Sequence, residues 1–407
     1  MDAKKLGEVI CALRKKKGYT QTKLANFLSV SDKSISKWES GKGFPDITLL
    51  PAIASVLGTT VDYLLIKEKR GITIAGNFIV DNLCRVNTYP ERGRLCNILS
   101  TEKAVGGCAP NTSIDLAVMD NELPVSVIGR VGNDEDGRFL ISSLSVKGID
   151  VSSVKISDVE RTATCFVMND GSERTFFSYS GANSVFSPND IDVSLLTCSI
   201  FHIGYINLLD EFDKEDAEYG TVMAKFLKSV QEKGIKTSID TVSSEDKKVY
   251  AKNILPVLKY IDYLIINEIE CCCIFGKEAY LSDGTLDKST IKECMQLAMS
   301  LGVKEKVVVH AKDGGFCLDK SGKFTAVGSL IIDSSLIKGN VGAGDAFCAG
   351  CLYSLYTELS DEDMLSFARG TGVLCSLTRA LKRLKSTTCT ELCTLLGIRC
   401  RLGCFTL

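Results

Sequence analysis

Apolar residues recur at helical spacing through roughly the first 65 positions, then regroup into short apolar runs separated by amphipathic stretches. Leu6, Val9, Ile10 and Leu13 mark one face of a helix over 6–17. Thr20 caps a second helix over 20–28 with Leu24, Phe27 and Leu28 inward, and Ser29-Val30-Ser31 supplies a three-residue turn. A third helix over 32–40 buries Ile35 and Trp38 and stops at Gly41. Pro45-Asp46 opens a fourth that turns Leu49, Leu50, Ile53 and Leu57 inward, and Thr60-Val61-Asp62 starts a short fifth. Short helices joined by this turn predict an all-α helix-turn-helix unit over 1–68.

From Gly71 the pattern changes. Strand-like runs at 72–80, 125–128, 199–203, 237–239, 263–266 and 307–310 alternate with helix-like stretches near 111–119, 135–146, 219–233, 246–260, 291–300 and 345–355. This order predicts a three-layer α/β sandwich on a mainly parallel sheet over 71–385, with ligands at the carboxyl ends of the strands. Two stretches break the alternation: 83–99, and 164–168 with 174–179 across Asn169-Asp170-Gly171. Both read as β-hairpin material and are expected to form a lid. Lys67-Glu68-Lys69-Arg70 leaves almost no linker, so the two units are expected to be stiffly coupled. Residues 386–407 form a cysteine-rich tail without an assigned role.

Composition sharpens this picture. At 45% apolar and 24% charged, without low-complexity runs, the 407-residue chain has the content of folded domains rather than of disorder or coiled coil. No uninterrupted apolar stretch reaches the ~18–20 residues of a membrane span, and residues 1–17 lack a signal peptide's apolar core, so a cytoplasmic protein without membrane contact is expected. The formal net charge of −2 conceals 13 Lys/Arg against 7 Asp/Glu in residues 1–70, and 35 against 43 in the rest. A basic small unit beside an acidic large one assigns nucleic-acid contact to the small unit.

The 18 cysteines sit largely in apolar runs such as Cys271-Cys272-Cys273 and read as reduced core residues. Cys348 and Cys351 have metal or redox spacing but no second pair beside them, and read as packing. Cys389, Cys393, Cys400 and Cys404 in the tail are paired at i,i+4 without a nearby histidine. His202 and His310 lie at the ends of apolar strands and read as core or rim groups.

In the small unit, Ser31, Asp32, Lys33, Ser34 and Lys37 face outward, the set able to reach base edges from a major groove, while Gln21 and Lys42 are placed for phosphates. The segments Tyr19-Thr20-Gln21, Val30-Ser31, Ile35-Ser36-Lys37-Trp38-Glu39-Ser40-Gly41, Pro45-Asp46 and Leu64-Leu65 together resemble the Cro/C1-type (XRE) family of DNA-binding domains. The resemblance implies double-stranded DNA as partner, and half-sites about 34 Å apart imply a homodimer. Asp32 is a departure: an acidic tip on the reading helix repels phosphate and has to read cytosine amino groups or stay clear.

The sharpest local signal is Asn340-Val341-Gly342-Ala343-Gly344-Asp345-Ala346-Phe347. Glycines just ahead of a helix let backbone N–H groups converge with the helix dipole into an anion hole. Asp345, in the first turn, is a base for a hydroxyl that attacks phosphorus. Alone, the same glycines also suit a tight strand-to-helix turn. Gly106-Gly107-Cys108-Ala109-Pro110-Asn111-Thr112 is a second glycine pair at a helix start, and Val127-Ile128-Gly129-Arg130-Val131-Gly132-Asn133-Asp134 with Gly137 follows it. With Asn267-x-x-Glu270 and Lys312-Asp313-Gly314-Gly315, these motifs resemble the ribokinase-like (PfkB) carbohydrate kinase family from Gly71 to about Leu377. No Walker A sequence is present.

The resemblance implies a ribokinase-like fold and ATP-dependent phosphorylation of a sugar or nucleoside hydroxyl. Asp345 would be the catalytic base, and Gly342, Ala343 and Gly344 the donors to the transferring group. Asn267 and Glu270 would hold hydrated Mg²⁺. Asp81, Gly106, Gly107 and Asn111 would bind sugar hydroxyls, Lys312 and Gly314 would lie in the nucleotide-side loop, and the hairpins would exclude water. Arg174 reads as a solvated lid residue or a contact to an acidic substrate. Three positions depart from the family pattern: Gly339-Asn340 replaces the usual Asp-Thr linked to monovalent-cation activation, Ala311 replaces a loop glycine, and 379–407 lacks the segment that usually closes the adenine pocket. The leading expectation is a DNA-binding transcriptional regulator fused to a sugar kinase. The alternatives are a sugar-sensing repressor whose kinase fold is a non-catalytic ligand-binding module, and a kinase whose small unit only dimerises it.

Overall fold

The computed structural model describes residues 3–59, 61, 64, 70–171, 174–242, 247–329 and 342–378, and the chain divides after Arg70 into two compact units. The first is all helical: α1 (Ala3–Lys16), α2 (Gln21–Leu28), α3 (Asp32–Glu39) and α4 (Leu50–Leu57), the last entered through a 3₁₀ turn at Ile47–Leu49. Thr20 and Ser31 cap α2 and α3 by accepting the N–H groups of Lys23 and Ser34. Leu6, Ile10, Leu24, Ile35, Trp38 and Ile53 form the centre of its core. Phe27 corrects the expected pattern. It is 53% exposed and packs against the Tyr19 ring, because Leu24, Ala25 and Leu28 already fill the inward stripe of a two-turn helix. Thr60 and Asp62, from the expected fifth helix, lie outside the described residues, as do Gly339-Asn340 and the tail.

The strands of the second unit follow in chain order: β1 (Ile72–Ala75), β2 (Ile79–Val86), β3 (Ile98–Gly106), β4 (Val125–Ile128), β5 (Arg130–Gly132), β6 (Lys155–Ser157), β7 (Ala163–Asn169), β8 (Arg174–Tyr179), β9 (Ile200–Ile206), β10 (Glu215–Asp216), β11 (Gly220–Thr221), β12 (Lys236–Thr241), β13 (Tyr263–Asn267), β14 (Lys306–Ala311), β15 (Gly314–Asp319) and β16 (Phe324–Gly328). The main sheet has eight strands in the order β16-β15-β14-β13-β12-β9-β1-β4. It is parallel from β4 to β14 and ends in an antiparallel hairpin edge.

Helices cover both faces of this sheet. On one side lie α7 (Val222–Gln231), α8 (Lys247–Ile254), α9 (Glu268–Ile274) and α10 (Lys288–Ser300), whose apolar faces join one core. On the other lie α5 (Cys108–Met119), α6 (Glu135–Ser145), α11 (Ala343–Tyr356) and α12 (Asp361–Thr378), which share a second. None of the described helices is long and apolar enough to cross a membrane.

The expected strand over 72–80 is two strands in two sheets. At Gly76 φ is +143°, and a Cβ there would lie 2.5 Å from Cys108 Sγ, so only glycine lets the chain leave the main sheet and restart as β2. The two stretches expected to form a lid belong to a four-stranded sheet in the order β3-β2-β7-β8. Its two antiparallel pairs are joined by a parallel pairing of β2 with β7. The edge hairpin and α12 are additions that the apolar pattern did not predict.

A tight contact between α11 and α12 sets a prediction. A Cβ on Gly350 of α11 would lie 2.7 Å from both Ala368 Cα and Thr371 Oγ1 of α12. Gly350→Val is expected to cost about 1–3 kcal/mol through overpacking against backbone that cannot yield. Urea denaturation checks this as a lower midpoint with an unchanged slope.

Candidate functional site

The parallel strands end on one edge of the main sheet, and the candidate residues gather there. Gly342 caps α11 with φ +81°, which sets the helix's first N–H groups toward that edge. Asp345 follows in the first turn and is 4% exposed. Two side chains grip it: Asn111 Nδ2 of α5 donates to Oδ2 at 2.8 Å, and the Tyr205 hydroxyl of β9 donates to Oδ1 at 3.1 Å. Burial, and then the Asp345 charge, push the Tyr205 hydroxyl well above its usual range, so it stays a donor.

Tyr205 is a candidate site residue that sequence reasoning missed. Its backbone is left-handed at φ +59°, which a tyrosine adopts only under local constraint. The constraint is visible in Asp240 of β12, whose Oδ1 accepts the Tyr205 N–H at 2.6 Å. A Cβ on the preceding Gly204 would lie 2.8 Å from that oxygen. The Gly204-Tyr205 pair was the available signal, but without β12 beside it the pair carries no meaning.

Asp81 and the Gly106-Gly107 pair come together at the start of the lid. Asp81 lies on β2, and a Cβ on Gly106 would meet Asp81 Oδ2 at 2.4 Å, so the glycine makes room for the carboxylate. Gly107 has φ +89° and passes so close to Asn77 O that a Cβ would sit 2.2 Å from it. Asn111 lies one turn into the helix that follows. Thus Asn111 connects the expected sugar-binding loop to the expected base.

Asn267 and Glu270 form a reciprocal cap at the start of α9: Asn267 Oδ1 accepts the Glu270 N–H at 2.8 Å, and Glu270 Oε2 accepts the Asn267 N–H at 3.2 Å. Glu270 is buried and Asn267 half-buried, at the carboxyl end of β13. Both are hard oxygen donors of the kind magnesium accepts, and the cap holds them at fixed spacing, so the pair fits a hydrated Mg²⁺. Lys312 and Gly314 lie at the turn between β14 and β15, Lys312 exposed and Gly314 buried. The Lys312 carbonyl accepts from Ser329 Oγ at 2.9 Å, which Arg369 Nη2 in turn reaches at 2.7 Å. His310 pairs in register with Asn267, its ring packs on Phe347 at 4.7 Å, and burial holds it down at about 4, a neutral imidazole beside the helix start. The expected lid residue Arg174 is exposed.

In the first unit, Lys33, Lys37, Ser31 and Asp32 are exposed on and beside α3, and Ser34 is half-buried. Ser31 Oγ is occupied as the cap, and Ser34 Oγ lies 2.9 Å from it. Gln21 is less free than expected: its Nε2 donates to Glu39 Oε2 at 2.8 Å, and Arg14 grips the same carboxylate at 2.6 and 2.8 Å. Burial raises Glu39, but these hydrogen bonds outweigh it and hold the carboxyl below its usual range. The Arg14–Glu39–Gln21 cluster therefore fixes three helices relative to one another.

Residues 76–383 match the model of the pfkB family carbohydrate kinases, and residues 12–64 match a helix-turn-helix model. Over 303 residues the chain is 24% identical to the ATP-dependent ribose-1-phosphate kinase of Halopiger xanaduensis, covering 74% of this chain and 90% of that one. Over 82 residues it is 42% identical to the HTH-type transcriptional activator BcrR of Enterococcus faecalis, covering 20% of this chain and 40% of that one. Arabidopsis thaliana ribokinase, solved in complex with ribose and ATP, has the same fold: the TM-score is 0.65 at 19% identity, over 81% of this chain and 99% of that one.

The loop after Tyr205 carries a pH-dependent cost. Burial pushes Asp213 up to about 6, against the N–H groups of Leu209 and Asn207 that its Oδ2 accepts. Because the folded value lies above the usual one, the stability tied to the protonated form is present below about pH 4 and lost as pH rises through about 6. Asp213→Asn keeps an acceptor for both N–H groups. It is expected to stabilise the protein by about 1–3 kcal/mol at pH 7 and by nothing measurable at pH 4, in denaturant melts at the two pH values.

Proposed function

We propose, from the premise that this chain belongs to the pfkB family of carbohydrate kinases, that its larger unit transfers the terminal phosphoryl group of ATP to a sugar or nucleoside hydroxyl with Asp345 as base. The enzyme is a phosphotransferase with a hydroxyl acceptor, and a helix-turn-helix unit is fused ahead of it. The observation that carries the mechanism is the buried Asp345 carboxylate behind Gly342, held by Asn111 and Tyr205.

The roles follow from chemistry at each position. Asp81, Gly106, Gly107 and Asn111 bind the sugar hydroxyls, and Asn111 hands one of them toward Asp345. Asp345 takes the acceptor's proton as its oxygen attacks phosphorus. The N–H groups of Gly342, Ala343 and Gly344, at the positive end of α11, stabilise charge on the group in transit. Lys312 and Gly314 shape the nucleotide side of the cleft. Asn267 and Glu270 hold hydrated Mg²⁺, which supplies charge neutralisation for the phosphates when bound. The lid sheet excludes water, so that phosphoryl transfer outruns hydrolysis.

The substrate is proposed to be a sugar, consistent with the pentose named for two of the relatives, and the protein to act in the cytoplasm. Exposed Phe166, Phe176, Phe177 and Tyr179 on β7 and β8 favour a homodimer through the lid. Through Lys33, Lys37, Ser31, Ser34 and Gln21 the small unit binds double-stranded DNA, and occupancy of the kinase site alters that affinity. We assign residues 1–68 to the DNA-binding unit and 71–385 to the kinase.

Two experiments test this. Across a panel of sugars and nucleosides, Asp345→Ala is expected to lower ATP- and Mg²⁺-dependent turnover by about 10²–10⁴-fold. Turnover that survives the substitution overturns the role of Asp345, and wild-type protein that binds a sugar without turnover favours the sensing module. In DNA titrations, Lys37→Ala is expected to weaken binding and to reduce the slope of log affinity against log salt by about 1. Repeating the titration with sugar and ATP tests the coupling, which fails if affinity is unchanged.

A further inference from the structure

We propose that His202, Asp240 and Cys348 form a three-ligand binding site for a divalent ion of the zinc class. The site is separate from the Asn267/Glu270 pair and does not depend on the kinase mechanism. Its ligands come from β9, β12 and α11, so it would tie the centre of the sheet to the helix that carries Asp345.

The donors converge deep in the core. His202, Asp240 and Cys348 are 0%, 7% and 2% exposed, and their ligand atoms lie within 4.8 Å of one another. His202 Nε2 is 3.5 Å from Asp240 Oδ2 and 3.7 Å from Cys348 Sγ. One ring nitrogen thus faces two partners that a single N–H cannot serve together. The carboxylate separation also exceeds the ~2.7–3.2 Å of a good N–H···O bond. A tetrahedral zinc ion, with bonds of about 2.0–2.1 Å to nitrogen and oxygen and about 2.3 Å to sulfur, sets its nitrogen about 3.4 Å from an oxygen ligand and about 3.6 Å from a sulfur ligand. Both measured distances are within about 0.2 Å of those edges.

The outward atoms of the ligands are tethered as metal ligands usually are. His202 Nδ1 lies 3.1 Å from Ser238 Oγ, and Asp240 Oδ1 accepts the Tyr205 N–H at 2.6 Å. These contacts leave Nε2 and Oδ2 turned toward the thiol. Nitrogen and sulfur donors exclude magnesium and select zinc. Binding replaces the thiol proton of Cys348, which passes to solvent as the metal–thiolate bond forms. Full burial also predicts slow exchange, with the ion taken up as the chain folds.

The test uses the full chain refolded with Zn²⁺ or Co²⁺, in excess Mg²⁺, and then freed of loose metal. Expected are one retained zinc per chain by mass spectrometry and, with cobalt, the thiolate-to-metal charge-transfer absorption. Cys348→Ala should abolish that absorption and lower zinc affinity at least tenfold. A variant with Cys389, Cys393, Cys400 and Cys404 all replaced by serine should retain both signals. His202→Gln gives an independent loss of affinity should Cys348→Ala not fold, as judged by its metal-free melt. The proposal is overturned if no zinc is retained, if retention survives both Cys348→Ala and His202→Gln, or if it disappears only in the tail variant.

Discussion

A carboxylate 4% exposed, at the first turn of α11, is the constraint around which the larger unit is arranged. Removing such a group from water costs several kcal/mol unless fixed dipoles replace its hydration. Here the replacements come from three directions: the Asn111 amide of α5, the Tyr205 hydroxyl of β9, and the start of α11 itself. Each donor sits on a different element, so the position of one side chain registers two helices against the middle of the sheet. Loosening any of the three weakens the compensation for a buried charge, which couples the integrity of the site to the integrity of the fold.

That arrangement has its own support. The left-handed backbone at Tyr205 sits beside a register irregularity where β12 passes β9 between Ile239 and Thr241. The irregularity brings Asp240 under the Tyr205 N–H, and Gly204 gives the carboxylate room. A strained tyrosine, a displaced strand register and a glycine are thus parts of one device for aiming a phenol at Asp345.

Much of this was legible in the sequence because it is written in local terms. The glycines before Asp345, the Gly106-Gly107 pair and the Asn267-x-x-Glu270 spacing are short-range requirements of backbone geometry, and the structure places each at a strand end or helix start. The alternation of apolar runs located the parallel strands for the same reason. What stayed hidden depends on partners distant in sequence. The run 72–80 looks like one strand, since nothing in it reveals that Cys108 and Gly204 crowd Gly76. Tyr205 reads as a strand residue until Asp240, 35 positions on, is beside it. Phe27 fits a helical stripe that turns out to be full. Gln21 matches a phosphate-contact position, yet its amide is engaged by Glu39 on another helix.

The parallel pairing of β2 with β7 joins strands that are far apart in the chain. Ile79 pairs with Ala163, and the intervening chain supplies α5, β4 and α6 to the layer below. Joining the two hairpins thus closes a long loop for one strand pairing. The pairing therefore carries a larger loop-closure cost than the two hairpins it joins, whose strands are close in the chain.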